Sequence, residues 1–328
     1  SRTIAPALAP RVMPMLARHI VAVTHERLAA IAAQAAQGPL DLLATMQALT
    51  LEIAGRSMFS LEMASFGPAL RRLLAEYAER FSQPLLLDML LPASVPTLRD
   101  LRRRWFQARW MRLIETIMHD RLRGPQPETP RDLFDLLRAA RDPETGEAFS
   151  PAQLRDQLAT LLRAGHETTA VTLFWTLTLL AQDAAEQRRV AEEAAAVAIE
   201  PDTATEQLPR LTRIRAVVNE ALRLYPPAFA IVREAIAADR LGDFDLPKRP
   251  VVMIAPWVLH RHRKLWRDPD AFDPDRFMPA AAAAADAPAI PRFAYLPFGA
   301  GPRVCVGAQF ALTEAVLVLA RLVQAFDI

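Results

Sequence analysis

The single cysteine of the chain, Cys305, lies in a segment whose residue types suit metal ligation, residues 298–307, with the sequence Phe-Gly-Ala-Gly-Pro-Arg-Val-Cys-Val-Gly. A thiolate needs hydrogen-bond donors and positive potential, and Cys305 stands just before a predicted helix whose free N–H groups supply both. Gly299 and Gly301 permit a tight turn with positive φ. Arg303 can present its two-pronged guanidinium to a carboxylate. A lone cysteine is more often an inert core residue, but this setting favours a metal ligand.

A second group of reactive residue types lies at residues 164–169, Ala-Gly-His-Glu-Thr-Thr, within a long apolar stretch. Gly165 and the two threonines are poor helix formers, and threonine hydroxyls can bond to the preceding turn and open the helix locally. A buried carboxylate beside a hydroxyl, here Glu167 and Thr168, can relay protons to a reacting group. An isolated Glu-Thr-Thr sequence is usually a solvated helix face. The apolar residues on both sides argue against that interpretation here.

The two motifs, in this order along the chain, resemble those of the cytochrome P450 family, whose members bind haem through a cysteine thiolate. The resemblance implies haem b as the cofactor, with Cys305 as the axial ligand of its iron. It also implies that Glu167 is the acid and Thr168 the alcohol of a proton relay. The neighbouring His166 is predicted to point away from the cofactor. The other residues predicted to contact the haem are Ala164, Gly165, Arg233, Phe298, Gly299 and Arg303.

Glu220 and Arg223 lie three residues apart on one predicted helix, within pairing reach of each other. Pairs at this spacing are common, so the spacing alone is weak. In the family the pair is completed by a later arginine, which the resemblance places at Arg276. The predicted role is structural, because a desolvated Glu–Arg–Arg cluster can hold the scaffold of the cysteine loop.

Arg233 and the histidines that follow it have competing interpretations. The resemblance places Arg233 against a haem propionate, but an ordinary surface arginine at the end of a strand fits equally well. The sequence His260-Arg261-His262 is interpreted as a loop rather than a metal site, because no third ligand lies nearby in the sequence.

The elements that must position these residues are mostly helices. Apolar residues recur at three- and four-residue spacing, and Pro- or Gly-containing breaks such as Gly38-Pro39 separate the segments. Ser150-Pro151 has the favoured order for an N-cap and first helical residue, and the helix it begins is predicted to continue to about Ala181. The predicted helices cover residues 15–34, 40–56, 68–81, 98–123, 150–181, 184–199, 211–225 and 307–326. Short β-branched segments at 228–236 and 250–254 predict strands of a small sheet.

The sequence therefore predicts a mainly α fold with a small β-sheet, in a single cytochrome P450 domain over residues 1–328. The N-terminal helices and strands of the family, and its C-terminal sheet segment, have no counterpart here. We therefore expect a partial domain, truncated at both ends. The chain begins at Ser1 rather than at a methionine, so an N-terminal anchor in a longer parent protein stays possible.

Composition narrows the function classes. Hydrophobic residues make up 52% and charged residues 23% of the 328 residues, and the formal net charge is +2, which does not fit a nucleic-acid-binding protein. One cysteine forms no internal disulfide and fits a reducing compartment. No uninterrupted apolar run reaches about 18 residues, so no transmembrane segment is predicted. Together with the richness in Ala and Arg, these features predict a bacterial-type cytoplasmic protein.

The resemblance implies insertion of one oxygen atom from O2 into an apolar organic substrate. The electrons are expected from a separate ferredoxin or flavoprotein, since the sequence carries no flavin or iron–sulfur motif. A peroxide-driven peroxygenase is one alternative; it needs no proton relay, so the Glu167-Thr168 pair argues against it. A non-catalytic haem-binding fragment is another. The apolar residues 228–232 predict a hydrophobic small-molecule substrate.

Overall fold

A computed structural model of the chain describes residues 3–60, 67–80, 97–123, 127–278 and 290–328. The chain forms two compact units. The first holds residues 1–170 and 200–203, and the second holds residues 171–199 and 204–328. The single domain expected over residues 1–328 stays a prediction.

The first unit is helical. Short 3₁₀ turns at Ala5–Leu8 and Pro10–Val12 lead into its first long helix. Its α-helices are α1 (Met13–Ala35), α2 (Leu42–Phe59), α3 (Gly67–Arg80), α4 (Leu98–Leu122), α5 (Leu133–Ala139) and the N-terminal part of α6 (Pro151–Ala181). Phe81, predicted as the last residue of the third helix, lies outside the described residues.

Packing in the first unit follows the helical periodicity of the sequence. Helices α1 and α2 pack together, and their buried residues include Ile20 and Ile53. On α6, Leu154, Leu158 and Leu162 recur at four-residue spacing and are all buried, as expected for one apolar stripe of a helix that faces a core.

The start of α6 confirms the predicted cap. The Ser150 hydroxyl accepts a hydrogen bond from the Gln153 N–H at 3.3 Å, and the Gln153 side chain accepts one from the Ser150 N–H at 2.9 Å. This reciprocal pair satisfies two donors that a helix start otherwise leaves free. Pro151 is the first helical residue, and the helix ends at Ala181 as predicted.

The second unit combines helices with two small sheets. Its helices are the rest of α6, α7 (Ala184–Ala195), α8 (Ala204–Gln207), α9 (Thr212–Leu224), α10 (Pro256–Leu259) and α11 (Ala308–Ala325). Helix α7 ends at Ala195 rather than at residue 199, and the chain that follows buries Val197 and Ile199. Turns of 3₁₀ helix lie at Leu208–Arg210, Pro274–Phe277 and Gly301–Arg303.

The strands of the described residues form two antiparallel pairs. Strands β1 (Ile231–Glu234) and β4 (Val251–Ile254), which lie within the predicted segments, pair with Arg233 opposite Val252. Strands β2 (Asp239–Leu241) and β3 (Phe244–Leu246) form a second sheet that the sequence reasoning missed. The signal was present, because Gly242-Asp243 between them is a typical two-residue hairpin turn and Gly242 has a φ of 60°. The mainly α fold with minor β structure is confirmed.

Helix α11 forms much of the core of the second unit, where it packs against α7 and α9. Its residues from Thr313 to Ala320 are all buried, so it is enclosed on every side there. Among the described residues, α11 is the one helix whose length and hydropathy would allow it to cross a membrane, and 56% of it is buried within the protein. A buried core helix meets the same two criteria, so this is weak support for a membrane span.

Candidate functional site

The cysteine loop, residues 298–307, is closed by its own backbone. The Cys305 N–H donates to the Phe298 carbonyl oxygen at 2.9 Å. Gly299 and Gly301 have φ values of 71° and 73°, in the left-handed region that favours glycine. The Cys305 side chain is exposed, and its thiol forms no disulfide. The loop therefore presents a free sulfur at the surface of the second unit instead of burying it.

A glycine, Gly307, lies next to the Cys305 sulfur, so no side chain projects there. Gly307 is the N-cap of α11, and a Cβ atom at this position would lie 3.9 Å from the Cys305 Sγ. Since glycine has no capping side chain, the N–H groups of the first turn of α11 have no side-chain acceptor at the cap. These N–H groups and the positive end of the helix dipole begin three residues after Cys305. A Cβ atom at Gly299 would lie 3.7 Å from the Ile231 Cδ1, so the loop runs close to β1.

Two arginines of the second unit have exposed guanidinium groups. Within the described part of the chain, no hydrogen bond or ion pair holds Arg303, and Arg233 donates only to the adjacent Val232 carbonyl at 2.8 Å. Val232, on β1, and Val304, in the loop, are also exposed, at 50% and 53%. The free thiol, two arginine side chains without an acidic partner among the described residues, and the exposed apolar side chains fit a metal complex that has apolar faces and carboxylates at its edge. Haem has this chemistry.

The cluster of Glu220, Arg223 and Arg276 does come together in the second unit. Arg223 donates from Nε and Nη2 to the two Glu220 carboxylate oxygens, each at 2.7 Å, and both side chains are fully buried. The Arg276 Nε lies 3.5 Å from the Glu220 Oε1. The same Glu220 oxygen accepts from the Asp273 N–H at 2.9 Å.

The remaining donors of Arg223 bind backbone. Its Nη1 donates to the carbonyl oxygens of His260 at 2.8 Å and Pro269 at 2.7 Å, and its Nη2 donates to that of Ala271 at 2.9 Å. One guanidinium thus ties α9 to three points of the segment that follows α10. Because every donor that points into the core has an acceptor, the buried charge is compensated.

His260 is a residue of this cluster that sequence reasoning missed. It was interpreted as part of a loop, which is correct for its backbone, but its side chain is fully buried. Its ring contacts the Arg223 carbonyl oxygen through Nδ1 at 3.1 Å and the Leu296 N–H through Nε2 at 2.7 Å. Burial lowers the pKa of His260 to about 4. The one signal in the sequence was a histidine directly after a short apolar run.

The acid–alcohol motif lies on α6 within the first unit. The Thr168 hydroxyl donates to the Ala164 carbonyl oxygen at 2.8 Å, and the Thr169 hydroxyl donates to that of Gly165 at 3.0 Å, so both bond to the preceding turn as predicted. The helix stays continuous through the motif, and the predicted local opening is not present. Thr168 is exposed and Thr169 is buried, so adjacent threonines occupy different sides of α6.

The two titratable residues of the motif differ in environment. Glu167 is half-buried, and this desolvation raises its pKa, with the nearby Arg163 acting in the opposite direction. His166 is buried, which lowers its pKa to about 4. Its backbone carbonyl accepts from the Thr50 hydroxyl of α2 at 3.0 Å. Burial therefore shifts the two pKa values in opposite directions: the Glu167 carboxyl group holds its proton more tightly than a free glutamate does, and the His166 imidazole stays neutral at neutral pH.

Comparison with known proteins gives one family. A family model described as cytochrome P450 matches residues 2–328. Cyclooctatin synthase of Streptomyces melanosporofaciens is 35% identical over 286 residues, which cover 87% of this chain and 61% of that protein. Cyclooctat-9-en-7-ol 5-monooxygenase of the same organism is 31% identical over 309 residues, which cover 94% of this chain and 66% of that protein. A bifunctional cytochrome P450/NADPH–P450 reductase of Bacillus subtilis is 37% identical over 221 residues, which cover 66% of this chain and 20% of that protein.

The chain thus spans less than two thirds of the length of these relatives. The family match nevertheless includes the cysteine loop, the acid–alcohol motif and the Glu–Arg–Arg cluster, because it extends over nearly every residue. This chain belongs to the cytochrome P450 family.

Proposed function

We propose that the protein is a haem-thiolate monooxygenase that inserts one oxygen atom from O2 into an apolar organic substrate. The observation that carries this proposal is the free, exposed thiol of Cys305, held by a closed loop directly before the uncapped start of α11. When bound, haem supplies the binding and reductive activation of O2, and thiolate ligation favours cleavage of the O–O bond. One Streptomyces relative is named as a monooxygenase, cyclooctat-9-en-7-ol 5-monooxygenase.

Residues of the second unit would hold the cofactor. Cys305 is the proposed axial ligand of the haem iron, and Arg303 and Arg233 are the proposed partners of the propionates, since both guanidinium groups are exposed and free of acidic partners within the described residues. Phe298 and Gly299 shape the loop beside the sulfur. The Glu220–Arg223–Arg276 cluster is the proposed scaffold of this region, because it ties α9 to the segment that precedes the loop.

Residues of α6 would handle protons. Glu167 is the proposed acid, and the raised pKa of its half-buried carboxyl group brings its proton exchange closer to neutral pH. Thr168 is the proposed alcohol; its exposed hydroxyl now donates to the Ala164 carbonyl oxygen and can rotate to a second acceptor. Ala164 and Gly165 leave the helix face flat beside these groups, which fits close approach of a planar cofactor.

The substrate and the electron donor are proposed at the level of chemical class. Exposed apolar side chains near β1, such as Phe229 and Val232, favour a hydrophobic small molecule. A ferredoxin or flavoprotein is the proposed electron donor, and the Bacillus relative is named as a bifunctional cytochrome P450 and reductase. The proton relay favours this O2-dependent reaction over peroxide-driven oxygenation, which needs no proton delivery for O–O cleavage.

The test is the spectrum of the reduced, haem-loaded protein with carbon monoxide. We expect the strongly red-shifted Soret band of thiolate-ligated haem. Cys305→Ser replaces the sulfur with an oxygen of nearly the same shape, so it should remove this band without disturbing the helical far-ultraviolet circular dichroism. A wild-type spectrum that lacks the red shift despite stoichiometric haem would contradict the proposal.

A further inference from the structure

The side chain of His260 joins two segments of the second unit that are far apart in sequence. Its Nε2 lies 2.7 Å from the Leu296 backbone nitrogen, and its Nδ1 lies 3.1 Å from the Arg223 carbonyl oxygen. The Leu296 N–H can only donate, so Nε2 must be the unprotonated acceptor. Nδ1 then carries the hydrogen and donates to Arg223. The two partners thus fix both the charge and the tautomer of a fully buried imidazole.

The link between His260 and Arg223 runs in both directions. His260 donates from Nδ1 to the Arg223 carbonyl oxygen, and the Arg223 guanidinium donates from Nη1 to the His260 carbonyl oxygen at 2.8 Å. His260 is therefore attached to the buried ion pair through its ring and through its backbone. A displacement of Arg223 must displace the imidazole with it.

The link between His260 and the cysteine loop continues through backbone hydrogen bonds. The Leu296 carbonyl oxygen accepts from the Gly299 N–H at 3.2 Å, and the Phe298 carbonyl oxygen accepts from the Cys305 N–H at 2.9 Å. The imidazole thus holds the residue at which the turn toward Cys305 begins. The described residues include a second anchor nearby, since the Tyr295 hydroxyl donates to the Asn219 carbonyl oxygen at 2.9 Å and its ring packs on His260, with centroids 5.3 Å apart.

We infer that His260 is a positioning residue: its acceptor nitrogen fixes the start of the cysteine loop to the Glu220–Arg223–Arg276 cluster and so sets the place of the Cys305 sulfur. This inference rests on the proposed thiolate ligation of haem by Cys305. A buried N–H group without an acceptor raises the free energy of the folded state. If Nε2 were lost, the Leu296 N–H would therefore turn toward another acceptor. The loop that Leu296 begins would then move.

Two conservative variants separate the two ring nitrogens. In His260→Gln, the side-chain oxygen reaches about as far as Nε2 and can still accept from Leu296. In His260→Asn, the shorter amide reaches about as far as Nδ1 and can donate to Arg223 but cannot reach Leu296. Val190→Ala, in the fully buried core of α7, lowers stability without touching the cluster and is the matched control.

The first readout needs no haem. Hydrogen–deuterium exchange of the Leu296 amide and of the peptide through Cys305 is measured in all four proteins. We expect exchange at Leu296 to be at least about tenfold faster in His260→Asn and within about threefold of wild type in His260→Gln. Equal protection of Leu296 in the asparagine variant and wild type would overturn the inference. If the asparagine variant does not fold, the glutamine variant decides alone, because loss of protection despite a retained acceptor contradicts the role of Nε2.

The second readout is the carbon monoxide spectrum of the reduced, haem-loaded proteins. We expect His260→Asn to convert a large share of the red-shifted thiolate band into the band of thiol-ligated haem, while His260→Gln and Val190→Ala keep the thiolate band. If Val190→Ala, compared at the same thermal stability, lost as much of the thiolate band as His260→Asn, the loss would follow from lower stability alone. That result would overturn the inference. A wild type with no thiolate band contradicts the proposed function instead, and the exchange measurement then still decides whether His260 positions the loop.

Discussion

Glu220 and Arg223 form a two-pronged ion pair in which neither side chain has any exposed surface. Each of two guanidinium nitrogens donates to a different carboxylate oxygen at 2.7 Å. A pair withdrawn from water in this way depends on both members, since the loss of one leaves a buried charge with no counter-charge.

The first prediction follows from that pair. Glu220→Gln should lower the free energy of unfolding by about 3–5 kcal/mol, because Arg223 then stays buried opposite a neutral amide. Urea unfolding followed by circular dichroism measures the loss. The control is Glu234→Gln, whose pair with Arg249 is exposed at 53% and 75%, and its cost should stay below about 1 kcal/mol. Equal losses in the two variants would mean that the buried pair contributes little.

The second prediction concerns the hydroxyl of Thr168. Thr168→Ala removes an exposed hydroxyl that donates to the Ala164 carbonyl oxygen of its own helix, and the thiolate band and the fold should be retained. Without the alcohol of the proposed relay, reducing equivalents should appear as hydrogen peroxide rather than product. The measurement is peroxide formed per electron pair consumed. Thr168→Ser keeps a hydroxyl and should restore coupling. A peroxygenase would be insensitive to both changes.

The third prediction compares glycines in different backbone conformations. At Gly165, in mid-helix, a Cβ atom would meet no described atom within 4 Å, so Gly165→Ala should stabilise the protein by about 0.5–1 kcal/mol. Gly301 has a φ of 73°, so Gly301→Ala should cost about 1–2 kcal/mol. Thermal unfolding gives both values. Gly307, at a φ of −89°, is the control in the same loop: alanine there meets no positive-φ strain and should cost less than about 1 kcal/mol, the loss expected from a poorer N-cap residue.

The fourth prediction is a pH dependence from His166. Burial lowers its pKa from 6.5 to about 4 in the folded protein. Between these two pH values, His166 is therefore protonated in the unfolded chain and neutral in the folded protein. Stability should therefore fall as the pH drops from 6.5 toward 4, by on the order of 3 kcal/mol from this residue. Urea unfolding at roughly one-unit intervals between about pH 7.5 and pH 4.5 measures how steeply the free energy of unfolding depends on pH.

His166→Leu should reduce this slope without abolishing it, because one titrating group is removed while His260, whose pKa burial also lowers to about 4, remains. His25→Gln, at an exposed histidine on α1, is the matched control for the loss of an imidazole from the same unit. An unchanged slope in His166→Leu would mean that the acid sensitivity arises elsewhere in the protein.

Much of the local structure could be predicted from short stretches of sequence. The start of α6 follows from Ser150-Pro151 and a glutamine three residues after the serine, because a helix cap is satisfied within its own first turn. The turn at Gly299 and Gly301 follows from residue type, since φ near 70° strongly favours glycine. The β2–β3 hairpin carried an equally local signal at Gly242-Asp243 and was overlooked.

Other features depend on which distant segments pack together. Arg223 meets the carbonyl oxygens of His260, Pro269 and Ala271, and His260 meets Leu296, across separations of 36 to 48 residues. The short apolar run before His260 is a local signal of burial, but it does not show that the imidazole bridges two distant segments. Burial decides the difference, because removal from water makes its two hydrogen bonds obligatory.

The sequence by itself determined the chemistry that is possible: one cysteine in a glycine-rich loop before a helix, and an acid beside an alcohol on a long apolar helix. Only the tertiary structure decided how the loop is held. It buried Glu220, Arg223 and His260 together and left Cys305, Arg233 and Arg303 at the surface. The physical reason is that residue types set what a side chain can do, whereas solvent exposure and partners are set by the packing of segments that are remote along the chain.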